Sequence, residues 1–69
     1  MGMKNNQTYA EVLRQLPTAE LLQRYYHDKK VVNKILKGRD AAGRLIIAGV
    51  QMSEQDARDY LIMRLVDKA

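Results

Sequence analysis

The chain has no cysteine, no tryptophan and no phenylalanine, and only one proline, one histidine and four glycines among 69 residues. Without cysteine, disulfides and thiolate zinc sites drop out together. A lone histidine leaves no ligand set for a transition metal. The glycines form neither a Gly-x-Gly nor a Gly-Lys-Ser/Thr phosphate loop. No apolar run approaches the roughly 20 residues of a membrane span. The opening stretch 1–7 carries no apolar core of a signal peptide, and Asn6 stands where a myristoylation motif wants Ser or Thr. These absences set the expectation of a cytoplasmic protein without membrane association, cofactor or metal.

What is present is a short, positively charged, moderately apolar chain. Twelve basic against eight acidic residues give +4, and hydrophobic residues make up 46%. That is globular rather than disordered composition. A domain of this length buries roughly 60% of its unfolded surface, which leaves it marginal. Ordering costs about 1.5 kcal/mol per residue, so oligomerisation is a natural remedy where no disulfide or metal helps.

The expected organisation is a disordered tail over 1–7 and one α-helical domain over 8–69. No segment alternates as a strand does, and the fold class predicted is all-α: three to four short helices in a small bundle, completed by dimerisation. Thr8 and Glu11 form a capping box opening helix one, which runs to about residue 16 and presents Tyr9, Val12, Leu13 and Leu16 to the core. Pro17 ends it. Thr18 caps helix two over about 19–37, with Gly38 as its left-handed end. His27, Asp28 and Lys29 interrupt its apolar stripe, so it either bends there or is two short helices; one continuous helix is favoured because no Gly or Pro marks a break. Asp40 caps a third helix over about 41–48, ended by Gly49. Ser53 caps helix four, running from 54 to about 67. Its second half, Tyr60, Leu61, Ile62, Met63, Leu65 and Val66 around Arg64, is apolar on nearly every side. A helix apolar all round is buried, so these six residues are the expected interface with a second copy or another protein.

No catalytic set emerges. His27 and Asp28 are adjacent, so on a helix they point about 100° apart and form no acid–base pair. Glu54, Asp56 and Asp59 cluster where the helix dipole favours acids. The expectation is a non-enzymatic protein.

Charge is uneven along the chain. Between Arg24 and Arg44 seven basic residues face Asp28 and Asp40, a local excess of +5. Lys30, Asn33, Lys34 and Lys37 fall on one helical face, with Lys29 and Arg39 beside them. A cationic stripe near Tyr25 and Tyr26 suits a phosphate backbone or an acidic protein surface. A solvated face is the bland alternative. Segment 45–63 has the outline of a DNA-binding helix-turn-helix. Its second helix, however, would lead with Glu54, Asp56 and Asp59 towards the phosphates, so it reads instead as a helical hairpin that buries surface.

Leu45-Ile46-Ile47-Ala48, then Ser53, Asp56, Arg58, Tyr60 and Leu61, resemble the Sin-type helical hairpin of small bacterial anti-repressors over residues 45–61. The resemblance implies a hairpin that dimerises or exchanges partners with a repressor. Taken together, the sequence predicts a small regulator that binds a protein partner through its apolar C-terminal helix, with the basic face for steering. The alternative is a nucleic-acid-binding transcription regulator using Lys29, Lys30, Lys34, Lys37 and Arg39.

Overall fold

The computed structural model describes residues 8–68, so the tail expected over 1–7 lies outside the described residues. The elements run α1 (Tyr9–Arg14), α2 (Thr18–Tyr26), α3 (Lys29–Lys37), β1 (Leu45–Ile47), β2 (Val50–Met52) and α4 (Glu54–Lys68). The architecture is mostly helical with one short hairpin, hence α+β rather than all-α.

Two of the expected caps form as read. Thr8 and Glu11 make the reciprocal capping box of α1, and the Asp56 N–H donates to Ser53 Oγ at the start of α4. Thr18 does not cap; Pro17 occupies the cap position and Thr18 is the first residue of α2. Gly38 ends α3 at φ −81, so it is not left-handed.

The expected long helix two is in fact two helices. His27 turns left-handed at φ 58, its N–H closing α2 on the Gln23 carbonyl at 2.8 Å. Asp28 then starts α3 by accepting the Lys30 N–H at 2.9 Å. His is one of the few side chains enriched in this backbone region, and Asp is a strong N-cap.

The expected third helix is a β-hairpin. Leu45 pairs with Met52, Ile46 with Gln51 and Ile47 with Val50. Ala48 and Gly49 both have positive φ, 54 and 80, which is the two-residue turn that matches strand twist. Leu45 and Ile47 point into the core while Ile46 points out, a period of two. A lone hairpin is marginal in water; burial of Leu45 and Ile47 against α3 and α4 holds this one. Asp40 caps no helix. It braces the loop into β1, accepting the N–H groups of Ala42 and Arg44, the Arg44 Nε and the Gln51 side-chain amide.

The core is Leu13, Leu21, Leu22, Val32, Leu45, Ile47, Ala57, Leu61, Ile62 and Leu65. From α1 only Leu13 is fully enclosed; Leu16 is half-buried, and Tyr9 and Val12 are exposed, contrary to the four-residue stripe read from the spacing. The central element is α4, which packs on α1, α2 and β1.

Candidate functional site

On α3, Val32 is buried and Val31, Ile35 and Leu36 are half-buried, which fixes the inward side of the helix. Lys29, Lys30, Asn33, Lys34 and Lys37 are all exposed on the other side. Among the described residues none of these four lysines joins an ion pair. The whole formal excess of +4 equals the charge of this one helix, which holds four lysines and no acid.

The placement of Lys29 and Lys30 runs against local electrostatics. They occupy the first turn, where the positive end of the helix dipole disfavours cations by roughly 0.3–1 kcal/mol each. Asp28 offsets part of this as the cap. A local rule broken without a structural gain is where function is expected.

α2 and α3 are consecutive helices that pack on each other, joined by the two-residue turn His27–Asp28. Segment 45–63, whose sequence has the outline of a helix-turn-helix, begins 27 residues after α2 does (Leu45 against Thr18) and opens instead on a strand. The hairpin flanks α3: Ile46, 53% exposed, shares a groove of about 280 Å³ with Lys34, Ile35 and Gly38.

Arg39 does not belong to the basic face. Its guanidinium pairs with Glu54 Oε1 at 3.3 Å. Glu54 Oε2 accepts the buried Thr18 hydroxyl at 2.7 Å, Arg58 donates to that hydroxyl at 3.2 Å, and its other nitrogen reaches the Arg14 carbonyl at 2.9 Å. Arg39, Glu54, Thr18 and Arg58 therefore tie the starts of α2 and α4 to the end of α1 and to the α3–β1 loop. The Glu54 carboxylate thus does more than complement a dipole, and no sequence spacing announces such a network.

The six apolar residues expected at an interface divide. Leu61, Ile62 and Leu65 are enclosed by the chain's own core, and Tyr60 is half-buried. Met63 at 56% and Val66 at 39% remain exposed, beside a groove of about 350 Å³ between α1 and α4 lined also by Ala10, Arg14, Asp59, Ile62 and Asp67. The chain's own core thus covers three of the six, and Met63 and Val66 stay open. The residues of the Sin-type match do not build a helical hairpin, because Leu45–Ile47 is a strand.

A tyrosine cluster joins the ends of α2 and α4. Tyr25 meets Tyr26 edge to face at 4.9 Å and Tyr60 at 6.5 Å, and Lys68 Nζ lies 5.2 Å from the Tyr25 ring centre. The neighbouring Arg64 guanidinium, as donor and as charge, holds the Tyr25 hydroxyl below its usual range. Burial pushes Tyr26 the other way.

No family model matches the chain, and neither a curated protein nor a solved structure matches it. No helix among the described residues is long and apolar enough to cross a membrane.

Proposed function

We propose that this chain is a small, non-enzymatic DNA-binding regulator that presents α3 to the phosphate backbone. The observation that carries the reading is the row of four lysines on α3, exposed and free of ion pairs among the described residues. In DNA-binding helix-turn-helix proteins the second helix enters the major groove, and the proposal gives α3 that role. The hairpin stands beside α3, where Ile46 shares a groove with Lys34. Counterion release would supply the affinity, with a slope of log K against log salt near −0.9 per neutralised phosphate.

A salt titration of binding to a mixed-sequence duplex tests this. Four contacts predict a slope of about −3.6, and Lys30→Ala with Lys34→Ala is expected to flatten it by about 1.8. No binding at low salt overturns the proposal.

A second reading keeps a protein partner. Met63 and Val66 stand exposed beside the groove between α1 and α4, which favours an apolar contact there. Met63→Glu with Val66→Glu is expected to abolish such an association and leave DNA binding unchanged.

A further inference from the structure

The exposed side of α3 carries one side chain that cannot neutralise a phosphate. Asn33 sits among the lysines, one helical turn from Lys29, Lys30 and Lys37. At about 100° per residue it lies midway between Lys29 and Lys37, about 40° from each. Its side-chain amide makes no hydrogen bond among the described residues. Asn is a poor helix former at an interior position, so local propensity does not account for it there.

Its surroundings differ from those of Lys30, Lys34 and Lys37. Asn33 lines a shallow groove of about 340 Å³ between α2 and α3, with Lys29 beside it and Glu20 and Gln23 across it on α2. The Glu20 carboxylate disfavours a phosphate at its own, α2 wall of that groove, opposite Lys29 and Asn33 on α3. An amide pair next to a carboxylate offers donors and acceptors suited to a base edge. Of the four bases, adenine presents in the major groove the acceptor and amine donor that an Asn amide matches in one plane.

We infer that Asn33 is the specificity-determining residue of this surface and reads an adenine in the major groove, while the lysines on either side hold the backbone. The inference rests on the DNA-binding reading above. Lys29 and Lys37 then set the register, and Asn33 supplies the base preference that ammonium groups on phosphates do not.

The experiment is selection from a pool of duplexes with a randomised centre, run with the wild-type chain, Asn33→Ala and Asn33→Gln, alongside salt titrations of each. The wild type is expected to enrich adenine at one position by about tenfold. Asn33→Ala is expected to lose that enrichment and keep the salt slope, and Asn33→Gln to retain part of it. Replacing the enriched base by 7-deazaadenine, which lacks the N7 acceptor, is expected to weaken the wild type and leave Asn33→Ala unaffected. Both variants lie on an exposed helix position, and circular dichroism checks that they fold.

A preference that survives in Asn33→Ala overturns the assignment. Wild-type binding with a steep salt slope but no base preference overturns it too, and leaves the electrostatic reading standing. Absence of binding at low salt removes both.

Discussion

Single side chains decide where this chain bends and what its buried polar atoms do. Ala48 holds φ 54 in the hairpin turn, a region that a Cβ disfavours. Ala48→Asn or Ala48→Gly is expected to raise stability by about 0.5–1 kcal/mol, read from the urea midpoint. Thr18 is the opposite case. Its hydroxyl serves Glu54 and Arg58 at once from a buried position. Thr18→Val is expected to cost about 1–3 kcal/mol in the same measurement, because it strands charged partners. At this scale the sequence was partly legible. Thr8 with Glu11, and Ser53, announce themselves by spacing. Asp28 was equally readable as a cap, and His27, Asp28 and Lys29 interrupt the apolar stripe, but the absence of Gly or Pro there argued for continuity. The left-handed His27 leaves no composition signal of the kind Gly does.

Among the elements, the hairpin was the least legible. Leu45, Ile46 and Ile47 are three apolar residues in a row, which helix and strand periods fit equally well. The turn has Ala where Asn or Asp would have signalled it, and only Gly49 carries the usual mark. What fixes the hairpin is tertiary: Leu45 and Ile47 beneath it, and Asp40 before it. The N–H of Arg44, first, and its charge hold the Asp40 carboxyl below its ordinary value near 3.8. A carboxylate lowered in the folded state contributes stability above its unfolded value, and the contribution is lost as pH falls through the folded one. Protection of the β1 and β2 amides, their exchange relative to the free-chain rate at the same pH, is therefore expected to fall on acidification below about pH 4. Asp40→Asn is expected to show lower protection already at neutral pH and less change on acidification. The basic face of α3, by contrast, was legible in the sequence, since Lys30, Asn33, Lys34 and Lys37 follow the helical period. Only Arg39, past the end of the helix, fell outside it, drawn to Glu54 by contacts that spacing cannot show.

For the molecule as a whole, the decisive point is where α4 finds cover. An apolar circumference over residues 60–66 looked too large for so small a chain to enclose. The short hairpin and the close approach at Ala57, fully buried, let α1, α2 and β1 enclose most of it. Length arithmetic has no access to that geometry. Leu61→Ala is expected to cost about 2–5 kcal/mol. Thermal midpoints of the wild type at widely different protein concentrations are expected to coincide, because enclosure within one chain involves no mass action. A midpoint that climbs with concentration would return α4 to an intermolecular role.

Crowding four ammonium groups onto nine residues, two of them against the dipole, has one more effect. The free protein carries a built-in repulsion that dissolved ions relieve. Adding sodium chloride is thus expected to make the isolated chain melt later, while the same addition loosens its hold on a polyanion. The two responses have opposite sign and one origin, and neutralising Lys29 and Lys30 together is expected to shrink both.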